Sequence, residues 1–227
     1  MNSEPRLVEV RRNILKDNDV LARSMRTRFR EAGVVVVSLV SSPGSGKTML
    51  LERTLTMLRD KYRVAALVGD LATDNDAERL ARSQVPVRQI TTGTTCHLEA
   101  AMVDKTLGDW SLDDLDFLFI ENVGNLVCPA SYDLGEALRF VILSVTEGED
   151  KPLKYPTIFN SADVAIITKT DLAAATEFSW ETAEANIQAV RPGMKIIRLS
   201  AKTGEGMPEY LAFLEELKIQ QGQTTPA

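Results

Sequence analysis

The single histidine of this chain, His97, directly follows Cys96, and the second of its two cysteines, Cys128, lies in the stretch Gly124-Asn125-Leu126-Val127-Cys128-Pro129. Two thiolates and an imidazole suit Ni²⁺ or Zn²⁺, and three ligands from one chain invite a fourth from a second subunit or from water. Buried structural cysteines are the alternative, which the adjoining histidine weakens. Upstream, Ser42-Pro43-Gly44-Ser45-Gly46-Lys47-Thr48 connects an apolar run to an apolar-periodic helix, the setting a phosphate-binding loop requires. Gly44, Ser45 and Gly46 would bring backbone amides around phosphates, Lys47 would neutralise the β and γ groups, and Thr48 would hold Mg²⁺. Ser41 stands where the generic G-x-x-x-x-G-K-[ST] pattern has its first glycine, with Gly44 and Gly46 left to supply the curvature.

Thr168-Lys169-Thr170-Asp171 follows another apolar run and resembles the guanine-reading N-K-x-D motif. Asp171 can accept from the guanine N1 and exocyclic amine, and Lys169 can lay its stem along the base. Thr168 replaces an asparagine and forfeits a carboxamide able to touch guanine N7 and the phosphate loop. Ser200-Ala201-Lys202 fits the S-A-K loop that buttresses the base. GTP and GDP are therefore the expected nucleotides. Candidate acids close two further runs: Asp70 is assigned to orienting a water and to the Mg²⁺ sphere, and Glu121, in Glu121-Asn122-Val123-Gly124, takes the place of a D-x-x-G aspartate at the metal. Asp76 is a further Mg²⁺-sphere candidate, with helix capping as its bland alternative.

Parallel strands alternating with helices must position these groups. Strands are expected at residues 34–40, 64–69, 87–90, 117–120, 140–145, 164–168 and 195–199. Helices are expected at 47–60, 76–83, 97–107, 180–190 and 208–218. This is an α/β fold, a mostly parallel sheet of about seven strands flanked by helices. Residues 1–31 read as an N-terminal helical extension, 32–219 as the nucleotide-binding domain and 220–227 as a polar, frayed tail. The first segment carries an apolar stripe of Leu7, Val10, Ile14, Leu21, Met25 and Phe29, with Arg11, Arg12, Arg23, Arg26, Arg28 and Arg30 supplying most of its charge. It is either a helix docked on its own domain or an arm for a partner.

At 227 residues and 44% hydrophobic content the chain can bury a sizeable core. A net charge of −6 gives no footprint for nucleic acid or an anionic membrane. No stretch approaches the roughly 18–20 apolar residues of a membrane span, and no signal peptide is visible, so a cytoplasmic location is expected.

Taken together, Ser42–Thr48, Gly69-Asp70, Thr92-Gly93 before Cys96-His97-Leu98, and Phe119 through Pro129 resemble the hydrogenase nickel-incorporation GTPases, the HypB family. The stretch from Ser144 to Pro152 strengthens that resemblance. The urease-accessory GTPases are similar in fold but carry Cys-Pro-His where this chain has Cys96-His97. The resemblance implies a P-loop GTPase that forms a GTP-dependent homodimer; its intrinsic turnover is expected to be slow, since no motif places an arginine finger. It places Cys96, His97 and Cys128 in a Ni²⁺/Zn²⁺ site at the dimer interface. It also implies a small zinc-containing nickel chaperone as partner, docked by the N-terminal helix, with the [NiFe]-hydrogenase large-subunit precursor served indirectly. Residues 1–15 lack the cysteine motif and histidine-rich run of some family members, which argues against nickel storage. The other readings are a nucleotide-gated metal scaffold whose hydrolysis is incidental, and a urease-accessory-type GTPase.

Overall fold

The computed structural model describes the backbone of residues 6–70, 79–93 and 95–224, and side chains within 13–69, 79–93 and 95–223. Seven strands form one sheet: β1 Val35–Ser41, β2 Val64–Asp70, β3 Val87–Thr91, β4 Phe117–Glu121, β5 Leu138–Ser144, β6 Val164–Thr168 and β7 Lys195–Arg198. Their order is β3-β2-β4-β1-β5-β6-β7, and every neighbouring pair is parallel. From β1 the chain crosses to β2 on one side, and from β4 it crosses to β5 on the other. This reversal opens a crevice at the carboxyl end of β1, where ligands of open α/β sheets bind.

All seven expected strands are present, because uninterrupted apolar runs such as residues 34–40 suit a sheet covered on both faces. Val35, Val37 and Leu39 face Leu50, Leu51 and Leu55 of α2 (Lys47–Leu58) and Tyr210 and Leu214 of α7 (Met207–Thr224). Val34 and Val36 face Met25 and Phe29 of α1 (Arg6–Glu31) and Val103 and Leu107 of α3 (Ala100–Leu107). Beyond β1, Val141 and Leu143 of β5 pack with Ile158 and Phe159 of α5 (Pro156–Ser161) and Ile187 of α6 (Trp180–Val190).

Several boundaries differ from expectation. α3 starts at Ala100 rather than at residue 97, because its first amides are held from outside: the Ala100 N–H donates to Asn18 Oδ1 at 2.8 Å and the Leu98 N–H to Asn122 Oδ1 at 3.1 Å. No helix is expected between residues 146 and 163, yet this stretch carries α4 (Lys151–Lys154) and α5. Pro152 and Pro156 obscure the helical period while being acceptable in a first helical turn. α7 continues to Thr224, and the Gln221 amide donates to the Val34 carbonyl at 2.9 Å, so residues 220–224 are helical rather than a frayed tail. The front of the helix expected at 76–83 lies outside the described residues. No helix among the described residues is long and apolar enough to cross a membrane.

α1 is docked on its own domain. Ala22, Met25 and Phe29 are buried, Leu21 packs beside them, and Asn18 donates to the Asp133 carbonyl at 2.8 Å. Gly135 lies so close beneath the helix that a Cβ there would sit 2.9 Å from the Ala22 carbonyl oxygen. The stripe does not hold throughout, since Ile14 is exposed. The side chains of Leu7 and Val10 are outside the described set. Phe29→Ala should therefore destabilise the whole domain by about 3–5 kcal/mol. Denaturant unfolding would check this, and a loss under about 1 kcal/mol would mean that α1 is an accessory rather than part of the core.

Candidate functional site

β1 delivers Ser41 into the crevice and α2 begins six residues later. Gly44 and Gly46 have φ of 76° and 92°, a backbone that L side chains adopt reluctantly. Ser41 still belongs to β1 and has no positive φ, so the missing glycine takes nothing from the loop. Gly46 caps α2 without a side chain, leaving the helix N-terminus open for anions. The loop lines a cavity of about 420 Å³ shared with Val123 and Gly124.

Glu121 ends β4 and is 1% exposed. Its Oε1 accepts from the Thr48 hydroxyl at 2.7 Å and lies 3.2 Å from Lys47 Nζ. A hydroxyl and a buried carboxylate form a hard oxygen pair that fits Mg²⁺. Gly124 rests against the loop from the same segment, where a Cβ would lie 3.1 Å from Pro43 Cα.

The guanine-type loops are fastened to this site. The Thr168 hydroxyl donates to the Ser45 carbonyl at 2.7 Å, so threonine keeps the phosphate-loop link that its substitution for asparagine was expected to forfeit. Lys169, in left-handed backbone at φ 59°, donates to the Gly44 carbonyl at 2.6 Å. Buried Ser200 donates to Asp171 Oδ1 at 2.7 Å. Ala201 is half-buried against the core and Lys202 is exposed.

The metal-ligand candidates meet. Donor atoms of Cys96, His97 and Cys128 all lie within 4.8 Å of one another and are partly buried. Two ligands on a tetrahedral ion with bonds near 2.3 Å are about 3.8 Å apart, so modest contraction would enclose an ion. The His97 ring stacks on Tyr132 with centroids 3.9 Å apart, and its Nε2 is 3.3 Å from Glu99 Oε1. Nδ1 has no hydrogen-bond partner, which leaves it as the ring nitrogen for a ligand bond, with Glu99 as the orienting carboxylate.

Asp70 ends β2 with its Cα in register with Thr91, but its side chain, like all of Asp76, is outside the described residues. The structure also brings in residues that motif reading missed. Glu147 accepts from the Ser42 hydroxyl and, at 2.9 Å, from the Ser144 N–H. Burial pushes its carboxyl up, against the pull of the Ser144 amide, Lys151 and Lys169. Arg79 lines the phosphate-loop cavity. The capping spacing Ser144-x-x-Glu147, within the stretch Ser144–Pro152 already matched to the family, could have singled out the first; nothing local marks the second.

A glycine loop at the switch point of a parallel sheet, tied to an acid on the neighbouring strand and to a guanine-type loop, defines a P-loop nucleotide-binding domain. Within that class the protein can be placed more narrowly. The chain belongs to the family described as CobW/HypB/UreG, nucleotide-binding domain, which matches residues 35–198. The hydrogenase maturation factor HypB of Azotobacter vinelandii is 50% identical over 215 residues, 94% of this chain and 70% of that protein. The hydrogenase/urease maturation factor HypB of Helicobacter pylori is 42% identical over 222 residues, 96% of this chain and 91% of the relative. The crystal structure of HypB from Helicobacter pylori in complex with nickel superposes with a TM-score of 0.84 at 42% identity, covering 93% of this chain and 99% of the other.

Proposed function

We propose that the protein is a GTP-hydrolysing nickel metallochaperone that assists nickel insertion into a [NiFe]-hydrogenase, its dimerisation and metal site both governed by GTP. The observation that carries this reading is the convergence of Cys96, His97 and Cys128 beside the segment that begins at Glu121. Backbone amides of residues 44–48 and Lys47 would bind the β and γ phosphates, Asp171 would choose guanine, and Asp70 would orient the attacking water. Thr48, Glu121 and Asp76 would hold Mg²⁺, whose contribution when bound is to neutralise charge on the transferred phosphoryl group.

Nickel is cargo here, and Zn²⁺ would compete for the same thiolates. A second copy of the chain would supply the remaining ligands, and hydrolysis would reset the dimer. The small zinc-containing nickel chaperone would approach the outer face of α1, where Val20 is exposed, and the hydrogenase large-subunit precursor would receive the metal. Intact-mass measurement with and without a non-hydrolysable GTP analogue, crossed with Ni²⁺ and Zn²⁺, tests the reading. The expected result is a dimer only with the analogue, and stoichiometric nickel that Cys96→Ala or Cys128→Ala abolishes. Monomers under every condition, or nickel retained by both variants, would overturn it.

A further inference from the structure

Asn122 follows Glu121 directly and is 2% exposed. Its N–H donates to the Leu39 carbonyl at 3.0 Å, which anchors it to β1. Its side-chain Oδ1 accepts twice, from the Val123 N–H at 2.9 Å and from the Leu98 N–H at 3.1 Å. The second bond spans a long sequence separation to reach the residue immediately after Cys96-His97.

Leu98 has little freedom of its own. It is fully buried, and its side chain presses so closely on Gly69, next to Asp70, that a Cβ at residue 69 would lie 2.8 Å away. The other end of the segment is fixed in a similar manner. Gly124 abuts Pro43 of the phosphate loop, and Asn125 Oδ1 accepts from the Val127 and Cys128 amides at 2.7 and 3.4 Å. One stretch of backbone thus touches Lys47 and Thr48 through Glu121, Pro43 through Gly124, and both metal-ligand loops through two asparagine carboxamides.

From this geometry we infer that Asn122 is a positioning residue that sets the Cys96-His97 pair against Cys128 according to where Glu121 stands. It is the mechanical link between the nucleotide and the nickel ligands. The inference rests on the nucleotide-gated reading above and adds the part that transmits the gate. A shift of the backbone at Glu121 carries the Asn122 side-chain Oδ1 with it, and through that bond the backbone of Leu98. An asparagine that merely satisfied two buried amides would stabilise the fold without affecting how one site senses the other.

The discriminating experiment measures nickel dissociation constants by calorimetry in the GDP and non-hydrolysable-GTP forms of wild type, Asn122→Ala and Asn122→Asp. Unfolding midpoints establish that each variant is folded. A coupled wild type should differ between the two forms by about 5–150-fold, the usual span for linked sites. In Asn122→Ala the ratio should fall below about 2, while GTP-analogue affinity without metal keeps its wild-type value. Asn122→Asp keeps an accepting oxygen and should keep most of the ratio. A coupled wild type with an equally coupled Asn122→Ala, or an Asp variant as uncoupled as the Ala variant, overturns the inference alone. Equal nickel affinity in both nucleotide forms of the wild type overturns the gated reading and this inference together.

Discussion

Replacing Lys47 with Ala is expected to lower GTP turnover by at least about 10²–10³-fold, the scale of losing one well-placed charge or donor from a transition state. The same change carries a second cost. Lys47 and Glu121 are 10% and 1% exposed with Nζ and Oε1 3.2 Å apart, and breaking a buried pair from one side typically destabilises by about 3–5 kcal/mol. A dead Lys47→Ala enzyme could therefore be inactive because it is unfolded. The double variant Lys47→Ala/Glu121→Gln separates the causes, since the neutral amide no longer needs the ammonium. Its unfolding midpoint should return towards wild type while turnover stays absent. Recovered turnover in the double variant, or full turnover in the single one, would mean that the loop does not act on phosphate through Lys47.

The sheet could be read from the sequence because its signal is local. Seven apolar runs separated by helical periods leave few alternatives to a covered parallel sheet, and the spacing of residues 42–48 already points to a phosphate-binding loop. The Cys96–His97–Cys128 convergence was inferable from the scarcity of soft ligands, although nothing local fixes the distance between residues 96 and 128. Contacts between distant segments were not readable. The Asn18 carboxamide that starts α3, the Asn122 carboxamide on Leu98 and the Glu147 carboxylate on Ser42 join residues far apart in the chain. Each looks like an ordinary polar residue until folding places a partner beside it. Thr168 shows the converse. Judged against a motif it counted as a loss, yet its hydroxyl reaches the Ser45 carbonyl from the same strand end.

The final expectation concerns nucleotide choice. In the wild type, Ser200 donates to Asp171 Oδ1 at 2.7 Å, which fixes the carboxylate plane and leaves the other oxygen for a base. Guanine offers two donors there, and hydrogen bonds to a charged acceptor contribute about 1.5–3 kcal/mol each. Losing both should weaken GTP by roughly 10²–10⁴-fold in Asp171→Asn, at about 1.4 kcal/mol per factor of ten. The serine also decides which way the new amide faces. If its hydroxyl goes on donating, now to the asparagine oxygen, the amide NH₂ turns to the base, where guanine presents donors and xanthine presents a carbonyl in place of the exocyclic amine. Asp171→Asn should thus exchange GTP for xanthosine triphosphate at similar turnover. Adding Ser200→Ala should blunt that preference by freeing the amide to rotate. Competition binding of the two nucleotides measures both effects, and undiminished GTP affinity in Asp171→Asn would remove Asp171 from base recognition.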